Sequence, residues 1–237
     1  MKKVSSLTIA IPAYNEAGSI EKVVTDALAA VKNLAADFEI LVVDDGSTDR
    51  TGAILSSLAE KSKDIKLIRH PKNQGFSGAI KSCYKQATKD LVFLLPADGQ
   101  IKAADCALFL EKINRADVVV GYRKTNPEPW LRKLNSKVFH TLYRLLFGVR
   151  LREISTSILW RKKVLDTINI TAIPRSALIE PEVVYKAWKK GFRFAEVAIP
   201  YYPRASGKAK GSNPLMILIT LKELFRLWLQ QRLLQHL

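Results

Sequence analysis

The sequence predicts an α/β fold: a mainly parallel sheet with helices on both faces, followed by an amphipathic C-terminal helix. Three observations predict it. Short, continuous apolar runs recur through the first 120 residues, and a helix-length amphipathic segment separates each run from the next. Polar clusters stand directly after three of the runs, at Asn15-Glu16, Asp44-Asp45 and Asp98-Gln100. Strands that are apolar throughout, rather than alternating, are buried on both faces, and that is how parallel sheets read.

The elements follow in order. Residues 7–12 predict a first strand. Residues 18–32 predict a helix with Ile20, Val23, Val24, Ala27, Leu28 and Val31 along one face. Residues 38–43 predict a second strand, and 51–61 a helix preceded by Ser47, Thr48 and Asp49 as candidate caps. A third strand over 65–69, a helix over 75–88, a fourth strand over 91–95, a helix over 103–115 and a fifth strand over 118–121 complete the first half. Ligands in such sheets bind beyond the carboxyl ends of the strands. The three polar clusters are therefore expected to converge.

The second half is less regular. Residues 130–147 predict a basic amphipathic helix, with Leu131, Leu134, Val138, Leu142, Leu145 and Leu146 against Arg132, Lys133, Lys137 and Arg144. Residues 181–190 predict a helix that Gly191 stops. A strand over 192–199 and a loop rich in Gly, Ser and Lys over 203–212 follow. The final helix, 214–237, carries an apolar stripe through Leu218, Leu221, Phe225, Trp228 and Leu229. Lys222, Glu223, Arg226 and Arg232 interrupt it, so it falls short of the roughly 20 apolar residues that span a bilayer. It reads as an interfacial or partner-binding helix, against a membrane, a membrane protein or a second copy of the chain. Packing on its own domain is the alternative.

The charge is unevenly placed. Residues 1–120 hold 16 Lys+Arg against 15 Asp+Glu, and residues 121–237 hold 22 against 7. A near-neutral half joined to a strongly basic one implies two surfaces with different partners. Anionic lipid or a phosphorylated acceptor fits the basic half. Nucleic acid does not, because no nucleic-acid motif accompanies the charge and few aromatic residues interleave with it. Cys83 and Cys106 have no metal-ligand spacing and read as reduced core residues. The N-terminal apolar run is too brief for a signal peptide, and a cytoplasmic location is expected.

The polar clusters suit a ligand made of base, ribose and diphosphate. Asp44 at a strand end accepts from base or ribose hydroxyls, as acidic residues do in dinucleotide folds. Pro12 fixes the chain as it leaves the first strand, Tyr14 offers an aromatic face, and Glu16 accepts from ribose. Asp44-Asp45-Gly46-Ser47 has a purely local reading as well: a strand end, a turn glycine and a helix cap. A leaving diphosphate needs its charge neutralised. Asp98 and Gln100 offer oxygen ligands for Mg²⁺ or Mn²⁺, and Arg204, Lys208 and Lys210 form a cationic loop able to close over the same group.

These residues resemble the family-2 inverting glycosyltransferases of GT-A fold, and within them the polyprenol-phosphate (dolichol-phosphate) mannosyl- and glucosyltransferases. The carrying segments are Ile11-Pro12-Ala13-Tyr14-Asn15-Glu16, Val42-Val43-Asp44-Asp45-Gly46-Ser47-Thr48-Asp49, Asn73-Gln74-Gly75, Gly121-Tyr122-Arg123 and Arg204-Ala205-Ser206-Gly207-Lys208-Ala209-Lys210. The resemblance covers roughly residues 5–212. It implies a GT-A domain over 1–212, with a nucleotide-sugar half (1–121) and an acceptor half (122–212), and a separate helix over 213–237. It implies that Pro12, Tyr14, Glu16, Val42, Asp44, Asp45, Ala97, Asp98, Gln100, Arg204 and Lys210 bind the donor. Asp98 and Gln100 would hold the metal. Arg123, Arg132 and Ser136 would grip an acceptor phosphate, with Asp98, Arg123 and Arg132 as the catalytic set. The implied activity is transfer of a hexose from a GDP-mannose- or UDP-glucose-type donor to a polyprenyl or dolichyl phosphate, at the cytoplasmic face of a membrane.

Two departures from the family pattern stand out. Pro96 occupies the place of the first carboxylate in the family's D-x-D, which leaves Asp98 and Gln100 with less charge. Glu153 stands where relatives commonly carry Asp, and Ile154-Ser155-Thr156-Ser157 follows it. Two alternatives therefore stay open. One is a hydroxyl acceptor, which needs a base such as Glu153, Glu180 or Glu182. The other is a non-catalytic member that binds a nucleotide-sugar or scaffolds a partner.

Overall fold

The computed structural model describes residues 3–125, 129–154, 156–203 and 214–233. The elements run β1 (Val4–Ala13), α1 (Ile20–Leu34), β2 (Ala35–Asp44), α2 (Thr51–Lys61), β3 (Ile65–Arg69), α3 (Phe76–Gln86) and β4 (Leu91–Leu94). A 3₁₀ turn (Ala103–Asp105), α4 (Cys106–Ile113), β5 (Val118–Arg123), α5 (Trp130–Phe147), β6 (Ile158–Arg161), α6 (Lys162–Asp166), α7 (Ile179–Lys189), β7 (Phe194–Ile199) and α8 (Pro214–Leu233) follow. One seven-stranded sheet has the order β3-β2-β1-β4-β6-β5-β7. All neighbouring pairs are parallel except those made by β6, which runs antiparallel to β4 and β5.

The apolar strands are buried on both faces, as their composition predicts. Ala10, Leu41, Val43, Val92, Leu94, Val118 and Val120 join one core cluster, while Ile9, Ile11, Ile40, Val42, Phe93 and Val119 join the other. Neighbouring residues enter opposite clusters because strand side chains alternate. The first cluster takes in residues of α3, α7 and α8, and the second residues of α1 and α4. Cys83 and Cys106 are both buried and reduced, and burial pushes both thiols far above their ordinary range.

Four elements differ from the sequence expectation. β6 and α6 are not predicted, because four apolar residues followed by a five-residue helix leave too short a pattern to read. The helix expected over 103–115 divides into a 3₁₀ turn and a shorter α4. The stripe expected on the last helix lies mostly toward the open side, with Leu221 and Trp228 half-buried, and two leucines outside the stripe make the docked side. Leu224 and Leu227 enter the core, whereas Leu218, Phe225 and Leu229 are exposed. Thr220 Oγ1 accepts the Ala177 N–H at 3.1 Å, and Glu223 accepts the Ile173 N–H. Burying each leucine is worth about 1.5–3 kcal/mol, so the inner face holds α8 to the domain while the outer face stays uncovered.

β6 matters for the site. Its reversed direction puts its first residues, and the loop ahead of them, at the edge where β1, β2, β4, β5 and β7 end. Thr156 Oγ1 donates to the Gly121 carbonyl, and the Gly121 N–H donates to Ser157 O at 3.0 Å.

Candidate functional site

The predicted clusters meet at this carboxyl edge. Ala13 pairs in register with Asp44, and Ala10 with Leu94. The loop after β1 is laced to the loop after β2. The Asn15 N–H donates to Ser47 Oγ at 3.0 Å, and the Glu16 N–H to Thr51 Oγ1 at 2.8 Å. The Thr48 N–H donates to Asn15 Oδ1 at 2.8 Å. Asn15 holds a left-handed φ of 51° there, a conformation asparagine tolerates better than most residues.

Asp44 and Asp45 divide the work. Asp44 is 1% exposed; its Oδ1 accepts the Ser47 N–H at 3.0 Å and its Oδ2 accepts Arg69 Nε at 3.2 Å. Arg69 also donates to Gly52 O. A Cβ on Gly52 would lie 2.8 Å from Arg69 Nη2 and 2.9 Å from Asp44 Oδ2, so only glycine admits this pairing without a shift. Asp45 is a buried hub. Oδ1 receives His70 Nδ1 at 2.6 Å and the Gln74 N–H at 2.8 Å, and Oδ2 receives Asn73 Nδ2 at 3.0 Å and the Gly75 N–H at 2.8 Å. With four donors on two oxygens, Asp45 shapes the 70–75 loop. Val42 is fully buried in the core, so its side chain backs the site without lining it. Pro12, Tyr14 and Glu16 are half-buried around the strand end.

The third segment forms a tight turn. Gly99 has a φ of 74°, and the Gln100 N–H donates to Asp98 Oδ1 at 3.0 Å. Asp side chains commonly bond their own backbone two residues on. Ala97 and Gln100 are buried, and Gln100 O accepts the Tyr202 N–H at 3.0 Å. Asp98 and Gln100 thus flank one glycine, with β7's exit packed behind them. Among the described residues no group of three or more His, Cys, Asp or Glu stands ready to hold a metal ion. The donor set here is one carboxylate and one amide.

The acceptor-side expectations land on one connected cluster. Arg123 ends β5, and its fork closes on Glu153: Nε to Oε1 at 3.0 Å and Nη2 to Oε1 at 2.9 Å, while its own N–H donates to Oε2 at 2.9 Å. Burial works against the guanidinium charge, but the Glu153 bonds and charge outweigh it and hold Arg123 charged above its ordinary value. The Tyr201 ring lies 5.1 Å from the guanidinium carbon. His140 on α5 joins the cluster. Its Nδ1 donates to Ser136 O at 2.7 Å, and its Nε2 accepts the Ile154 N–H at 3.3 Å. Arg132, Ser136 and His140 are spaced four apart and share one helix face. The structure therefore links Ser136 through His140 to Glu153 and Arg123, with Arg132 one turn further along α5. Arg204, Lys208 and Lys210 lie outside the described residues.

Sequence reasoning missed several of these partners. Nothing in the chain marks His70 or Tyr201 as neighbours of the expected residues; His140, four positions after Ser136, carries the one local signal. Of the three glutamates considered as bases, only Glu153 stands at the carboxyl edge. Glu182 is buried and accepts from the Thr171 and Ala172 N–H groups and from Lys186. Glu180 is buried, its Oε1 has no hydrogen-bond partner among the described residues, and burial raises its carboxyl well above the ordinary range. Both are parts of the core, which corrects that expectation.

The sheet order and the edge clusters define a GT-A-like α/β fold shared with solved glycosyltransferases. The structure of glucosyl-3-phosphoglycerate synthase from Mycobacterium tuberculosis with phosphoglyceric acid superposes with a TM-score of 0.75, covering 94% of this chain and 80% of that one at 14% identity. The same synthase has been crystallised with Mn²⁺ and uridine-diphosphate-glucose. Residues 8–171 match the model of Glycosyl transferase family 2, and the chain belongs to that family. It is 30% identical over 169 residues to the undecaprenyl-phosphate 4-deoxy-4-formamido-L-arabinose transferase of Sodalis glossinidius, a match covering 70% of this chain and 52% of that protein. It is 28% identical over 224 residues to the polyprenol monophosphomannose synthase of Mycolicibacterium smegmatis, covering 86% and 81% respectively. The chain spans about half the length of the first of these relatives.

Proposed function

We propose that the protein transfers a hexose from a nucleotide-sugar to a polyprenyl phosphate, at the surface of a membrane. The observation that carries this reading is the convergence, on one sheet edge, of the nucleotide-type loops with the Arg123-Glu153 pair and the Ser136 and His140 face of the basic helix α5. Names of relatives from two bacterial genera support the acceptor class.

In this reading Pro12, Tyr14, Glu16 and Asp44 line the nucleotide subsite, with Asp45 and Val42 supporting it. Ala97, Asp98 and Gln100 lie at the diphosphate, where Arg204 and Lys210 add positive charge. Two hard oxygen donors suit Mg²⁺ or Mn²⁺, which commonly completes its shell with water and substrate phosphate. Such an ion, when bound, neutralises charge on the leaving diphosphate. A phosphate monoester has a second pKa of about 6 and is largely dianionic at neutral pH. It needs no strong base. Arg123 and Arg132 orient it by charge-assisted hydrogen bonds, and Ser136 adds a hydroxyl. Glu153 keeps the Arg123 guanidinium plane fixed. One direct displacement inverts the anomeric carbon.

The membrane side of the proposal rests on exposed apolar residues among cations. On α5, Trp130 is 74% and Leu145 78% exposed, beside Lys133, Lys137 and Arg144. No helix among the described residues is long and apolar enough to cross a membrane. Surface attachment through α5 and α8 is the form the contact takes in this reading.

The test is a transfer assay with labelled UDP-glucose and GDP-mannose, undecaprenyl and dolichyl phosphates, and Mg²⁺ or Mn²⁺. A lipid-linked sugar is expected; absence of product with every pairing ends the proposal. The hydroxyl-acceptor alternative now rests on Glu153 alone. E153Q separates the two readings: the alternative demands loss of turnover by several orders of magnitude, whereas a positioning role leaves turnover measurable with a raised acceptor KM.

A further inference from the structure

A groove of about 1150 Å³ opens between α8 and two loops of the domain, those of residues 72–74 and 173–175. Its volume is somewhat above that of typical small-molecule sites, ~300–1,000 Å³. Ile173, Pro174, Ile219, Phe225, Leu229 and Leu233 make its walls mainly apolar. Phe225 and Leu229 are 45% and 53% exposed, so α8 presents them to whatever fills the space. Contiguous exposed apolar surface of this kind marks a binding site.

The rim adds a second observation. Lys72, Arg175, Lys222 and Arg226 stand around the apolar walls, and Glu223 is the single carboxylate among the described lining residues. Glu223 Oε1 accepts the Ile173 N–H, while the buried Oε2 has no partner among the described residues. Burial raises this carboxyl above its ordinary range. An apolar trough edged by four cations is complementary to one long apolar chain with an anionic head.

Position adds a third. The groove's 72–74 wall is the loop that Asp45 holds: Asn73 Nδ2 donates to Asp45 Oδ2, and Gly46 packs on the Lys72–Asn73 peptide. The trough therefore begins one layer behind the nucleotide-type loop.

We propose that this groove holds the apolar chain of the phosphorylated lipid, with its head led along the cationic rim to the carboxyl edge. The proposal rests on the acceptor class given above and names where that acceptor's tail lies. Phe225→Glu and Leu229→Glu change exposed positions and put charge on the wall. Binding of undecaprenyl phosphate, farnesyl phosphate and inorganic phosphate to the full chain is measured by calorimetry, with nucleoside-diphosphate binding and thermal stability as controls of folding. Wild type is expected to bind both prenyl phosphates. Each variant is expected to lose at least tenfold, with nucleoside-diphosphate and inorganic-phosphate binding unchanged. Equal prenyl-phosphate affinity in wild type and variants overturns the groove, as does a wild type that binds neither prenyl phosphate. An equal loss toward phosphatidylglycerol vesicles lacking prenyl phosphate also overturns it, because the residues are then a general membrane contact. Turnover keeps the two readings apart. Groove-dependent binding without sugar transfer ends the reaction proposal alone, and transfer indifferent to both variants ends the groove alone.

Discussion

Single residues at the carboxyl edge are constrained by packing before any ligand arrives. Gly46 has a φ of 68°, and a Cβ there would lie 2.7 Å from the Lys72 carbonyl carbon and 2.8 Å from the Asn73 nitrogen. Left-handed backbone costs about 1–2 kcal/mol for a residue with a Cβ, and the backbone overlap adds to it. Gly46→Ala is expected to lower unfolding free energy by at least about 2 kcal/mol, read from a urea midpoint. Glu180 is constrained in another way. Burial raises its folded-state pKa, so the folded state keeps a proton that the unfolded state releases above about pH 4.5. Its contribution to stability is full below that pH and is lost as pH rises toward the folded value. Glu180→Gln should therefore raise Tm more at pH 8 than at pH 5. Equal gains at both would contradict a buried neutral acid.

At the scale of elements, α5 is joined to the site loop by one imidazole. Burial lowers the pKa of His140; the Ser136 carbonyl and Glu153 oppose the shift, while Arg123 and Arg144 reinforce it. Only neutral His140 accepts the Ile154 N–H. A depressed folded pKa gives stability that is present above about pH 6.5 and lost as pH falls through the folded value. Wild type should lose stability on acidification below pH 6.5 more steeply than His140→Phe, compared by thermal melts across pH 5–8. Parallel pH profiles would remove His140 as the link. β6 shows what element patterns leave unread. Ile158-Leu159-Trp160 is apolar enough for a strand, but nothing local says that it inserts antiparallel between β4 and β5. That pairing, set by long-range register, delivers Glu153 to Arg123.

Across the whole molecule, charge and exposed apolar surface fall in the same half. Residues 121–237 carry 22 Lys+Arg against 7 Asp+Glu, and they include α5 and α8, the two helices with several exposed large apolar residues each. Juxtamembrane basic residues contribute about 1 kcal/mol each near an anionic surface, within a Debye length. Cosedimentation with phosphatidylglycerol vesicles should be strong at low salt and fall several-fold at high salt, with weak binding to neutral phosphatidylcholine vesicles. Equal binding to both lipids would dismiss the electrostatic part of the proposal.

The parallel sheet, its two buried faces and the convergence of the three clusters were legible in the sequence, because each depends on local pattern and on one rule about strand ends. Asp98 and Gln100 needed only their position after β4 to be read as a polar cluster at that edge; the tight turn at Gly99 was not read. The division of labour between Asp44 and Asp45 was not legible, since it depends on which carboxylate meets the 70–75 loop. Nor was the split of α8 into a docked side and an open one. Periodicity shows that a helix has apolar residues; only the neighbours it packs against decide which are covered. The sequence by itself determined most of the elements, the fold class and the chemistry available at the edge, but not β6 or α6. Tertiary structure decided which side chains face outward there and where the apolar groove opens, because contacts between residues far apart in the chain have no local signature.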